Sequence, residues 1–120
     1  MYAIKGEPVA KNPVPEFDAE EVLCYFDGPR ICTLKDIRGK LYLAYWSDTD
    51  GTLNRYIVVP TNPKTVKELK EKKVDLLTAL NQSKCFVFDV TGHDIISCIS
   101  VTFADIPADA LPASGVMLIR

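Results

Sequence analysis

A single histidine, no Cys-x-x-Cys pair and no long apolar run limit what this 120-residue chain can be built around. A membrane-spanning helix needs roughly 18 consecutive apolar residues, and nothing here approaches that length. The opening Met1-Tyr2-Ala3-Ile4-Lys5-Gly6-Glu7 lacks the charged-then-apolar layout of a secretory signal. A cytoplasmic location is the resulting expectation. The net charge of −2 offers no basic surplus of the kind a dedicated nucleic-acid binder shows. Gly-x-Gly-x-x-Gly, phosphate-loop, His-Glu-x-x-His and Gly-x-Ser-x-Gly signatures are all missing, so no cofactor, metal or nucleophile set is implied. There is no internal repeat and no low-complexity segment.

What is present is an ordinary globular composition, 48% apolar and 25% charged, in one domain's length of chain. Residues 1–15 carry Pro8, Pro13 and Pro15 without periodicity and read as an extended arm or linker. Residues 16–120 read as a single α+β domain. Glu21–Phe26 and Arg30–Leu34 form a strand pair around Asp27-Gly28. Leu41–Trp46 and Leu53–Val59, rich in Val, Ile, Tyr and Trp, form the strongest pair. Asn62 then caps a helix started by Pro63, with Val66 and Leu69 inward, and Asp75 caps a shorter one with Leu76, Leu77 and Leu80 inward. Lys84–Val90 and Ile95–Phe103 form a further hairpin. The expected fold is an antiparallel sheet of about six strands, open to curling into a barrel, with one or two short helices. The apolar tail Val116–Ile119 either docks as a final strand or marks one piece of a longer protein.

Four cysteines sit inside apolar strand-like runs and read as reduced packing residues. A two-residue turn at Gly92-His93 places Cys85 and Cys98 diagonally on one face, about 7–8 Å apart, beyond disulfide range. A three-residue loop at Asp27–Pro29 would set Cys24 opposite Cys32, the one pair worth testing.

The central hairpin carries the candidate site. With Asp50-Gly51 as its two turn residues, Tyr45 faces Tyr56, Leu43 faces Val58, Trp46 faces Arg55, Ala44 faces Ile57 and Tyr42 faces Val59. One face is then Leu41, Leu43, Tyr45, Tyr56 and Val58. The other gathers Tyr42, Trp46, Arg55 and Ile57, the residue types that dominate binding hot spots. A Trp46–Arg55 stack would contribute roughly 0.5–1 kcal/mol if exposed. This surface either receives a partner or is covered, one face by the helices and the other by the N-terminal arm. A one-residue change in loop length reassigns both faces.

Other candidates are weaker. Asp48-Thr49-Asp50-Gly51 has the start of a calcium loop without its remaining ligands and reads as a turn. His93, beside Asp94, could act as a base but has no companion nucleophile in the sequence. Five lysines against two glutamates over residues 64–73 give a basic helix, in which Lys67, Lys70 and Lys73 could meet phosphate. No aromatic interleaves them, and a solvated helix face explains them as well.

The run Arg55–Pro60, the later Leu69, Leu76-Leu77 and Ala79-Leu80, and the upstream Tyr25–Pro29 and Leu41–Tyr45 resemble a small bacterial family of unknown function. In that pattern a Tyr-x-x-Gly-Pro strand pair precedes a hairpin ending in Val-Pro and a leucine-rich helix. The resemblance covers roughly residues 21–90. It implies a bacterial intracellular protein and assigns no catalytic or binding residue. The leading functional expectation is a non-enzymatic module that binds a protein partner or itself. The alternatives are a nucleic-acid accessory protein using the lysine helix, and a ligand binder or enzyme around Asp48, Asp50 or His93.

Overall fold

A computed structural model describes residues 1–9, 17–25, 29–92 and 94–119. The strands are β1 (Glu7–Pro8), β2 (Phe17–Tyr25), β3 (Pro29–Asp36), β4 (Leu41–Asp50), β5 (Leu53–Pro60), β6 (Lys84–Thr91) and β7 (Asp94–Thr102). They form one antiparallel sheet in the order β1-β7-β6-β5-β4-β3-β2. The chain therefore meanders from β2 to β7, and β1 returns to the far edge. The sheet is not closed, so it is no barrel, and the two-residue β1 brings the strands to seven rather than six.

Two helices interrupt the meander between β5 and β6. In α1 (Pro63–Lys70), the Asn62 side chain accepts the Thr65 N–H at 2.8 Å, and Pro63 occupies a position whose N–H has no helical partner anyway. In α2 (Leu76–Leu80), Asp75 does the same for the Thr78 N–H at 2.9 Å. Val66, Leu69, Leu76, Ala79 and Leu80 are the buried sides of these helices.

The central hairpin departs from the simple register. Its turn residues are Gly51 and Thr52, between paired Asp50 and Leu53, with Gly51 at φ +61°, where a side chain would be strained. The register then shifts between Trp46 and Asp48, leaving Ser47 as an extra residue. As a result Tyr45 faces Ile57, Leu43 faces Val59, Ala44 faces Val58, and Trp46 faces Tyr56. Every β5 side chain lies on the face opposite to the one a bulge-free hairpin predicts. Similar shifts move the cysteines. Cys24 pairs with Ile31 and Cys32 with Val22, while Cys85 pairs with Val101 and Cys98 with Phe88. Cys24 and Cys85 pack in one cluster and Cys32 and Cys98 in the other, so the Cys24–Cys32 pairing is split across the sheet, and Cys85 and Cys98 lie on opposite faces rather than diagonally on one. All four thiols are free.

The sheet separates two apolar clusters. The larger holds Leu43, Ile57, Val59, Cys85 and Val87 from the sheet, with Leu69, Leu80, Ile106, Ala110 and Leu118 packed over them. The helices, the C-terminal segment, Tyr2 and Ile4 all lie on this side. The tail docks without becoming a strand: the Leu76 N–H donates to the Val116 carbonyl at 2.9 Å, and the Gly115 N–H to Asp75 at 2.7 Å. Gly6 permits the arm's approach to β7. A Cβ there would meet the Ser100 carbonyl and lie 2.6 Å from a Val101 methyl.

Because Leu43 is fully buried at the centre of this cluster, Leu43→Ala is expected to cost about 2–5 kcal/mol in denaturant unfolding. Ile37→Ala, at a residue 86% exposed, should stay within about 0.5 kcal/mol.

Candidate functional site

None of the described helices lies over the second face of the sheet, and the part of the N-terminal arm at residues 10–16, expected as its alternative cover, lies outside the described residues. Its cluster is Cys32, Tyr42, Ala44, Val58 and Phe88, flanked by Phe17, Leu34, Tyr56 and Phe86. The sheet curls toward this side. Phe17 on β2 and Phe88 on β6 have ring centroids 5.0 Å apart, although three strands separate them. In a flat sheet four strand spacings amount to about 19 Å, more than two phenylalanine side chains could bridge in this way. Phe17 also meets Tyr42 edge-on at 5.2 Å.

Small residues set the depth of the hollow. Cys32, Ala44 and Val58 stand side by side on β3, β4 and β5. The neighbouring row, Trp46–Tyr56–Phe88, is aromatic. Low floor and tall walls leave a cavity of about 290 Å³, bounded by Phe17, Leu34, Tyr56, Phe88 and Ile95 above that floor. A second hollow of about 240 Å³ lies beside it, lined by Val9, Tyr42, Phe86 and Cys98, and Phe17 borders both. Asp36, Ile37 and Arg38 line it as well.

The residues singled out as a partner surface do not share a face. Tyr42 and Trp46 lie on the concave side, Tyr42 being almost fully buried. Ile57 is completely buried under the helices, and Arg55 is buried on that same side. The Trp46–Arg55 stack is replaced by another: the Arg30 guanidinium lies 3.6 Å from the Trp46 ring centroid. The sequence spacing concealed this pair because Arg30 comes from β3, whose register with β4 depends on a separate turn.

Arg55 instead anchors a polar seam. It makes a two-pronged ion pair with Asp89, its neighbour on β6, at 2.7 and 2.9 Å. It also donates to the Tyr2 carbonyl, and its guanidinium lies 4.7 Å from the Tyr2 ring centroid. The Tyr2 hydroxyl meets Ser47 Oγ at 2.6 Å, and Ser47 donates to the Ala110 carbonyl at 3.0 Å. The bulge residue thus holds the N-terminal arm and the C-terminal segment together. The hydrogen bonds from Arg55 to Asp89 raise the Arg55 pKa, outweighing the opposing effect of burial. Its charge is fixed, and its role is to hold the fold.

The remaining candidates fall elsewhere. Lys70 is ion-paired with Glu21 at 2.8 Å, and Lys73 lies 3.4 Å from Glu71. Lys67 is exposed and borders an open hollow that also includes Glu20 and Glu21. Acidic neighbours therefore offset the lysine helix. Asp48 accepts the Thr49 N–H at 2.8 Å and Asp50 ends β4, so both belong to the strand and precede the Gly51-Thr52 turn. Among the described residues no cluster of three His, Cys, Asp or Glu could hold a metal. His93 lies outside the described residues.

A family model matches residues 17–119. The chain belongs to DUF6575, a family of unknown function. The DUF6575 match begins at Phe17 itself, so the floor and walls of the main cavity fall inside it, whereas the Tyr2 anchor falls outside. No curated protein and no solved structure matches the chain. None of the described helices is long and apolar enough to cross a membrane.

Three thiols of this DUF6575 chain are poor nucleophiles. Burial pushes Cys32, Cys85 and Cys98 from 9.0 up to about 11. A folded-state pKa above the unfolded value contributes stability that is intact below pH 9 and drains away as pH rises through 11. At pH 8 each thiol should be alkylated by iodoacetamide about a hundredfold more slowly than an exposed cysteine, as peptide mass spectrometry would report. Equally rapid labelling of Cys32 would contradict its burial. For the polar seam, Arg55→Met leaves Asp89 buried without its partner and should cost about 3 kcal/mol. The double change with Asp89→Leu should recover part of that loss in denaturant unfolding.

Proposed function

We propose that this domain is a non-catalytic binding module of a bacterial cytoplasmic protein, and that the concave face receives a protein partner. One observation carries the reading: both helices and the C-terminal segment cover a single face, while the other keeps an apolar cavity of about 290 Å³. An apolar hollow with aromatic walls is the usual character of a recognition site. The recognition residues on this reading are the half-buried Phe17, Leu34 and Tyr56, with Tyr42 and Phe88 buried beneath them and the Arg30–Trp46 stack at one end. Arg55 and Ile57 support the sheet from behind. Self-association through the same face is one form of this binding.

The lysine helix supplies less support for a nucleic-acid role, because Glu20 and Glu21 stand among its cations. Asp48 and Asp50 supply little for chemistry: both are paired residues of β4, and Asp48 accepts the Thr49 N–H.

The reading is tested with a photo-crosslinking amino acid placed at Leu34, on the concave face, and at exposed Lys72 as a control, in native host cells. A discrete adduct, with another protein or with a second copy, is expected from position 34 and not from position 72. Identical adduct patterns at both positions would overturn it.

A further inference from the structure

We infer that the main cavity is an anchor pocket for one uncharged bicyclic aromatic side chain, carried by a partner segment that lies extended along the concave face. This rests on the reading above and specifies the chemistry of what binds.

Size comes first. An apolar cavity of roughly 150 Å³ accommodates benzene, and this one is about 290 Å³. The fit is to a fused two-ring system of indole size. Charge comes second. None of the described residues lining the cavity is Asp, Glu, Lys, Arg or His, and Arg30 is the charge that acts on Tyr56 in its wall, so an ionised group entering it would lose most of its hydration. Cys32 and Tyr56 are its polar side chains, and burial holds both in their neutral forms well above pH 7. An indole N–H is as much polarity as such a lining can receive.

The second hollow selects a polypeptide over a free aromatic molecule. Ala44 borders the main cavity and Tyr42 borders its neighbour, two residues apart along β4 and therefore about 7 Å. An extended chain sets alternate side chains on one face at the same interval. The segment that fits is aromatic–x–apolar, with Trp in the larger hollow and a Leu-sized residue in the smaller one. Phe17 is the wall between them.

The test is titration of the full ¹⁵N-labelled chain with indole, then with the capped tripeptide acetyl-Trp-Gly-Leu-amide. Both should perturb the amides of Cys32, Ala44 and Val58. The tripeptide should bind about tenfold or more tightly than indole, because a second apolar side chain is buried. Ala44→Leu, which raises the floor, should weaken tripeptide binding about tenfold. Ala19→Phe, at an exposed position on the rim, should do the same and guards against a folding defect in the first variant. Absence of any perturbation overturns the inference. Indole binding as tightly as the tripeptide overturns the polypeptide assignment. Binding that appears only after residues 10–16 are replaced by an equally long Gly-Ser stretch assigns the pocket to the chain itself and likewise overturns it. A discrete Leu34 cross-link without tripeptide binding removes this inference and leaves the broader reading in place.

Discussion

One extra residue, Ser47, decides where every side chain of the central hairpin points. A strand alternates with period two, so a single unpaired residue exchanges the whole inward set for the outward set. With the shift between Trp46 and Asp48, Ile57 and Val59 turn under the helices, and Tyr56 and Val58 turn to the open face. Arg55 goes with Ile57 and meets Asp89 on β6. The same bulge places Ser47 where Tyr2 and the Ala110 carbonyl converge. Without it, the arm and the C-terminal segment would lose their shared contact, and the arginine would occupy the face that now holds the cavity.

From that register follows an uneven division of cover. The elements available among the described residues to shield the sheet are one two-turn helix, one shorter helix and a tail with two single-turn 3-10 segments. All are committed to the Leu43–Ile57 side. The opposite face is stabilised by curvature instead, which brings Phe17 against Phe88 and Tyr42 across the sheet. Curling buries the ends of the tall side chains but cannot fill the space above Cys32, Ala44 and Val58. The cavity is thus a consequence of short residues beneath a bent sheet. No wall is missing.

Much of this was legible residue by residue. The strand pairs, both helix caps and the inward Val66, Leu69 and Leu80 follow from local chemistry that requires no knowledge of distant partners. The bulge at Ser47 was not legible, because nothing in Tyr-Trp-Ser-Asp distinguishes a bulged strand from a straight one until Tyr2 and Ala110 are seen to claim the serine. Hence the grouping of Tyr42 and Trp46 with Arg55 and Ile57 failed, since it depended on parity alone. The Arg30–Trp46 stack and the closeness of Phe17 to Phe88 are long-range consequences of register and curl. A weak signal for the cavity did exist: Ala44 is the one small residue within Leu-Tyr-Leu-Ala-Tyr-Trp, and short residues in a run of large ones mark low ground.

Attention falls on the concave face partly because the edges of the sheet are poor places to add a strand. β2 carries Asp18, Glu20 and Glu21, and its register with β3 shifts at three points. Charge and irregular spacing both oppose pairing with another chain. At the far edge β1 already occupies part of β7, with the Val9 N–H on the Cys98 carbonyl at 3.0 Å, and Pro8 brings no donor of its own. An incoming segment would gain few ladder hydrogen bonds at either edge. The face offers what the edges lack: two adjoining, mainly apolar hollows, the second with Asp36 and Arg38 in its lining, whose filling removes hydrocarbon from water without requiring the sheet to extend.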